Sequence, residues 1–144
     1  MTREEALRRY AKVFEDLTPD TLDDLGALVG DDVRFVDPFN ELRGREAFLG
    51  VFREMFDRLQ EPGFTVSDVA LGQEAGYLRW RMTFRTKSGG RAWQIDGMSE
   101  LRFGADDRVS QHLDHWDAGG QFYAKLPLLG WLIGQVRRRL SHER

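Results

Sequence analysis

Apolar residues recur every three or four positions through the first sixty residues, and mostly every second position from Phe64 to Trp116. The first period marks helices and the second marks strands. Leu7, Tyr10, Phe14 and Leu17, with Ala6 and Val13 beside them, predict an amphipathic helix from Thr2 to Leu17. Thr2 and Glu5 stand at capping-box spacing. Thr18-Pro19 ends that helix and starts a second, with Leu22, Leu25, Leu28 and Val29 on its apolar face and Gly30 as its stop. Val33 to Asp37 reads as a short strand closed by Pro38, which has no N–H to give a ladder. Glu41 to Gly44 reads as a loop. Arg45 to Leu59 is a third helix with Phe48, Leu49, Phe52, Met55, Phe56 and Leu59 on a broad stripe. After Pro62-Gly63 come four predicted strands, Phe64–Leu71, Tyr77–Thr86, Arg91–Phe103 and Val109–Trp116. Turns at Gly72–Gly76, Ser88-Gly89-Gly90 and Gly104–Asp107 join them. The tail from Gly120 is helical at best and is punctuated by Pro127.

Segregated helices beside a meander predict an α+β fold. Three helices would cover one face of a curved antiparallel sheet, closing a cone with an apolar pocket at its wide end. With no repeat or linker, the expected organisation is one domain over residues 1–117. An amphipathic tail, residues 118–144, would pack on it.

The length of 144 residues suits one domain of that kind. With 41% hydrophobic residues the chain is too apolar for intrinsic disorder. The absence of Cys excludes disulfides, thiolate nucleophiles, iron–sulfur clusters and Cys-ligated zinc. The net charge of −3 argues against nucleic acid as a partner. That charge is uneven: the last 27 residues hold five basic side chains and one acidic, a net of +4, so the rest carries −7. No apolar h-region follows the N-terminal Met-Thr-Arg-Glu-Glu, so a cytoplasmic location is expected. The longest apolar stretch, Leu126 to Val136, is shorter than the roughly 20 residues that span a bilayer. With Trp131 inside it and Arg137-Arg138-Arg139 after it, the segment 126–139 has the makings of a weak membrane-surface contact. The alternative is a lid on the pocket mouth or a contact with a partner subunit.

Candidate chemistry sits at two places. Asp37 ends an apolar strand and precedes Pro38-Phe39, a setting that suits a general base, or else simply a turn. His112-Leu113-Asp114-His115-Trp116-Asp117 places His112, Asp114 and Trp116 on one face of a strand and Leu113, His115 and Asp117 on the other. That alternation splits the potential ligands into two pairs, so no metal is expected. A His–Asp pair inside a pocket is the better reading. Nothing resembles a phosphate-binding glycine loop, and no cofactor is expected. Arg79, Arg81 and Arg85 share the outward face of their strand, a solvated or oligomer-facing surface matched by Asp96 and Glu100.

Gly30-Asp31-Asp32-Val33-Arg34-Phe35-Val36-Asp37-Pro38-Phe39, followed by Gly44-Arg45-Glu46, resembles the first strand and third helix of the nuclear transport factor 2-like superfamily. Leu101-Arg102-Phe103, Val109 and Asp114-His115-Trp116-Asp117 resemble its last two strands, so the resemblance covers residues 3 to 117. The superfamily includes ketosteroid isomerase, limonene epoxide hydrolase and the SnoaL-type polyketide cyclases. The resemblance implies that Asp37 stands at the isomerase's general base, Trp116 at a pocket Trp, and either Tyr10, with a loop after helix one longer by three residues, or Val13, without it, at the oxyanion-hole Tyr. Ser99 stands where the isomerase has a protonated Asp. Against the epoxide hydrolase, Asp114 matches one Asp of its Asp-Arg-Asp triad and Arg79 the central Arg, with Arg81 in place of the second Asp.

The expectation is a small-pocket, cofactor-independent enzyme doing acid–base chemistry on an apolar molecule: isomerisation, cyclisation, dehydration or epoxide hydrolysis. Asp37 would be the base, Asp114 the acid or water-orienting partner, and Tyr10, Ser99 or His112 the hydrogen-bond donor to developing charge. Phe35, Phe52, Phe56, Trp80, Met82, Trp93 and Trp116 would line the pocket, and a homodimer would form through the sheet face. The rival expectation is a non-catalytic module that binds an apolar ligand or scaffolds a partner, membrane-peripheral if the tail is an anchor.

Overall fold

In the computed structural model, residues 1–87 and 90–141 are described. The predicted turn at Ser88-Gly89-Gly90 therefore lies in part outside the described residues, as do the last three residues of the tail. Helix α1 (Arg3–Glu15) starts at a capping box in which Thr2 Oγ1 accepts from the Glu5 N–H at 3.1 Å and the Glu5 carboxylate accepts from the Thr2 N–H at 3.0 Å. Its buried face is Ala6, Leu7, Tyr10, Ala11 and Phe14. A short 3-10 turn (Pro19–Thr21) leads into α2 (Leu22–Gly26). Strands β1 (Val29–Val36) and β2 (Glu41–Arg43) precede α3 (Arg45–Arg58). Then come β3 (Leu59–Leu71), β4 (Gly76–Thr86), β5 (Ala92–Phe103) and β6 (Val109–His115). Helix α4 (Ala118–Gln121), a 3-10 turn (Tyr123–Lys125) and α5 (Pro127–Leu140) complete the described chain.

The six strands form one curved open sheet in the order β2-β1-β6-β5-β4-β3, with α1 and α3 packed over it. Inward residues alternate along β4 (Leu78, Trp80, Phe84) and β5 (Trp93, Ile95, Gly97, Ser99, Leu101), and these meet the apolar faces of α1 and α3 in one core.

Four features differ from the sequence pattern, each for a physical reason. The sheet is mixed, because β1 pairs parallel with β6 while every other pair is antiparallel. The second helix stops before Leu28, and Val29, fully buried, opens β1 opposite Val109. Glu41–Arg43 is a strand, because the turn at Asp37–Asn40 folds it back on β1. Finally β3 starts at Leu59 and runs through Pro62, with an irregularity between Gln60 and Gly63 and Glu61 at φ 51°. A proline is tolerated there because β3 is an edge strand, with a free side that needs no N–H.

Candidate active site

An apolar cavity of about 500 Å³ opens between the concave face of the sheet, α3 and the segment after β6. Helix α3 contributes Val51, Phe52 and Met55, and β4 and β5 contribute Trp80, Met82, Phe84, Trp93 and Ile95. Among the described residues, only two charged groups line it, Asp37 and Asp114, and no Lys, Arg or His does. The register explains why Asp114 points here. Ser99 pairs with Asp114 across β5–β6, Leu78 with Ser99 across β4–β5, and Phe35 with His112 across β1–β6. Directly opposed inward side chains lie close enough to bond.

They form a continuous relay. Trp80 Nε1–H donates to Ser99 Oγ at 2.9 Å, and Ser99 Oγ–H donates to Asp114 Oδ1 at 2.6 Å. His112 Nε2 reaches the same Oδ1 at 2.7 Å, and the Tyr10 hydroxyl lies 2.8 Å from His112 Nδ1. The Tyr10 proton has no other acceptor among the described residues, so it goes to Nδ1, which leaves the hydrogen of His112 on Nε2, facing Asp114. Burial, and then the charge of Asp114, push the Tyr10 hydroxyl well above its ordinary range, so it keeps that proton. The imidazole is only 3% exposed and is ringed by Tyr10, Phe14, Phe35 and Phe48 with centroids 5.2–5.8 Å away. Asp114 is 16% exposed, and its second oxygen, Oδ2, accepts no hydrogen bond from a described residue. Asp114 is thus a carboxylate pinned by one oxygen, set in an apolar wall.

Gly97 makes room for this arrangement. A Cβ there would lie 2.6 Å from the Trp80 ring and 3.0 Å from the Trp116 Cβ, so the Trp80 indole can lie against β5 at this point only over a glycine.

Asp37 is held differently. Its Oδ1 accepts from the N–H of Phe39 at 2.8 Å, the N–H of Asn40 at 2.6 Å and Asn40 Nδ2 at 3.1 Å. Those bonds close the β1–β2 turn, so the carboxylate at the rim of the cavity is also the acceptor that shapes its corner.

The structure sorts the residues singled out in the sequence into distinct places. Asp37, Asp114, Phe35, Phe52, Trp80, Met82, Trp93 and Trp116 line the one cavity. Tyr10, Ser99 and His112 do not reach it. They stand behind Asp114, Ser99 and His112 bordering a separate hollow of about 30 Å³ and Tyr10 fully buried beyond them. Phe56 packs half-buried against the core and is off the lining. Arg79, implied by resemblance as a triad member, is exposed on the outer face of β4 and cannot meet Asp114. On that face Arg81 pairs with Asp96 at 2.8 Å, and this hydrogen bond lowers the Asp96 carboxyl. Glu100 faces Arg102 and His115. Among the described residues, no three His, Asp or Glu side chains are placed to hold a metal ion.

Phe64, Phe84, Phe39, Phe122 and Leu126 also line the cavity. Phe64 and Phe84 are signalled by inward alternation. Phe122 and Leu126 sit where no periodicity points to them. They are brought in because Gln121 clamps the backbone of Asp96, accepting from its N–H at 2.7 Å and donating to its carbonyl at 2.9 Å. Phe39 meets Trp116 and Phe122 at 5.6 Å each, and Trp93 meets Phe122 at 5.6 Å, which closes that end of the cavity with rings.

Solved structures of like fold include an NTF2-like protein of unknown function from Exiguobacterium sp. 255-15 (TM-score 0.68, 22% identity, 78% of this chain and 98% of that one). Another is a protein with a ketosteroid isomerase-like fold from Catenulispora acidiphila DSM 44928, in complex with trimethylamine (TM-score 0.71, 17% identity, 90% and 98%). A third is SalBIII, an epoxide hydrolase/cyclase-like enzyme with a role in pyran ring formation in the polyether salinomycin (TM-score 0.68, 12% identity, 80% and 90%). No curated protein matches the chain. Residues 7–112 of the 144 match the model of the SnoaL-like domain, and the chain belongs to that family.

Proposed function

We propose that the chain is a small-molecule enzyme in which Asp114 is the general base, acting on an apolar molecule held in the 500 Å³ cavity. The observation that carries this reading is the asymmetry of Asp114 on the cavity wall: Oδ1 is fixed by Ser99 and His112, and Oδ2 accepts no hydrogen bond from a described residue. A base must be held in one orientation before a ligand arrives, and buried donors do that without reorganising. The proton moves from a hydroxyl, a water or an activated carbon of the ligand to Oδ2. Tyr10 and His112 position the carboxylate and touch no ligand.

The wall also limits the chemistry. Among the described residues that line the cavity there is no cationic side chain to meet an anionic oxygen formed there. Reactions that couple proton removal to ring closure, ring opening or proton return fit such a wall better than those that build up a free oxyanion. Cyclisation, isomerisation and epoxide opening are of that kind. Asp37, the second carboxyl group on the same wall, would return a proton as the neutral acid and regain it from water after product leaves.

The test is Asp114→Asn with a panel of apolar epoxides, hydroxy-epoxides and enolisable ketones. Turnover of any accepted substrate should fall about 10²–10⁴-fold, the usual contribution of a positioned general base. Ligand binding, read by quenching of the cavity tryptophans, should change by only a few-fold. Turnover that survives Asp114→Asn would overturn the assignment. A protein that binds these ligands and turns none of them over would be a carrier, the reading its otherwise apolar wall favours.

A further inference from the structure

Helix α5 is set with its amphipathicity reversed. Its glycine side faces the protein: Gly130 abuts the Ala124 backbone so closely that no Cβ would fit, and Gly130, Ile133, Gly134 and Gln135 are its half-shielded residues. Its apolar stripe faces outward. Leu128, Leu129, Trp131, Leu132, Val136 and Leu140 are all exposed, Leu128 to 73% and Trp131 to 59%. No residue of α5 is buried, and the helix packs on the 3-10 turn that precedes it. An apolar helical face of this size is ordinarily covered by something.

The charges say by what. No acidic residue lies anywhere from Ala118 to Ser141, whereas Lys125 precedes the helix and Arg137-Arg138-Arg139 end it. A second copy of the helix, laid parallel or antiparallel, brings only more positive charge. An anionic bilayer brings phosphates of the opposite sign and an apolar interior for the leucines. Successive residues on a helix point about 100° apart, so the arginines fan around its end and can reach headgroups on both flanks of the stripe. The −7 balance of the rest of the chain turns that remainder away from such a surface.

We infer that α5 docks the protein on an anionic lipid surface, its leucine stripe in the interface and its terminal arginines among the headgroups. Leu126, the residue that opens the helix, lines the cavity together with Phe122. The docked helix therefore starts at the cavity mouth, where an apolar molecule could pass from lipid to pocket. The docking itself stands whether or not the cavity is catalytic.

The experiment is flotation of the full chain with vesicles of phosphatidylcholine alone and with added phosphatidylglycerol. The chain should float with the anionic vesicles, less at high salt and little with phosphatidylcholine alone. Arg137→Glu with Arg138→Glu should weaken binding on the order of 30-fold, and Leu132→Glu at least about tenfold. Far-UV circular dichroism and the melting temperature should hold in both variants, because α5 buries nothing in the core. Failure to float with anionic vesicles would overturn the inference. Unchanged binding by Leu132→Glu would overturn it too, by moving the contact elsewhere. A dimer that Leu132→Glu splits, without vesicle binding, would show that a second copy covers the stripe instead.

Discussion

Two corners of the cavity each present a carboxylate, and they are held by bonds of opposite kinds. At the β1–β2 corner, the partners of Asp37 are two and three residues away in sequence. At the β5–β6 ladder, Asp114 is bonded to His112, two residues away on its own strand, and to Ser99, fifteen residues away across the ladder, and His112 is bonded in turn to Tyr10, 102 residues from it. A short peptide could make the first set, while the second exists only when the sheet and α1 have closed. A local set shapes a turn. A buried set that reaches across the fold, with two donors meeting on one oxygen and further groups holding those donors, fixes a functional group at the cost of burying polar atoms. That difference is why Asp114, rather than Asp37, is assigned as the base.

The sharpest way to break the comparison is to neutralise each carboxylate in turn. Asp114→Asn should lose about 10²–10⁴ in turnover, or roughly 3–5 kcal/mol of transition-state stabilisation. Asp37→Asn keeps an oxygen that can accept the same turn bonds and removes the charge. If Asp37 only shapes the corner, turnover should stay within about tenfold. A larger loss would make it the proton-returning acid.

Next in size is the link behind Asp114. His112→Leu leaves the Tyr10 hydroxyl buried without its acceptor and takes one donor from Asp114. An unpaired buried polar group costs roughly 1–3 kcal/mol, readable as a lower urea midpoint at unchanged slope. Asp37→Ala should cost less, about 1 kcal/mol, because the N–H groups of the Phe39–Asn40 turn lie where water can reach them. If the two costs came out equal, the distinction between a buried relay and a surface turn would fail.

How much of this was legible beforehand follows the same line between local and distant. Alternation alone placed Leu78, Trp80, Met82 and Phe84 on one face, and His112 and Asp114 together on another. It did not show that Ser99 stands opposite Asp114. That pairing depends on the length of the β5–β6 turn and on a slip in register between Arg102 and Phe103. Nor could it tell the cavity-facing Phe52 and Met55 from Phe56, since the three share one broad stripe and only the sheet's curvature separates them. The tail shows the limit most plainly. Its sequence displays an apolar stripe, and it took the crowding of Gly130 on Ala124 to show which side faces away.

The smallest effect probes the far end of the relay. The Tyr10 hydroxyl is held above its ordinary value of 10.0 in the folded chain and returns to it on unfolding. Below that value both states hold the proton, so the interaction contributes fully. Above it the unfolded chain releases a proton that the folded chain keeps, and stability falls as the pH rises toward the folded value. The slope approaches about 1.4 kcal/mol per pH unit for one proton, and amounts to less than about 1 kcal/mol between roughly pH 9 and 10.5. Tyr10→Phe should remove this one-proton share of the alkaline slope. It should cost about 1 kcal/mol near neutral pH, where it only leaves His112 Nδ1 without its donor. Denaturant titrations of both proteins across that range would read the difference. Parallel slopes would mean that the hydroxyl meets solvent and that the relay ends at His112.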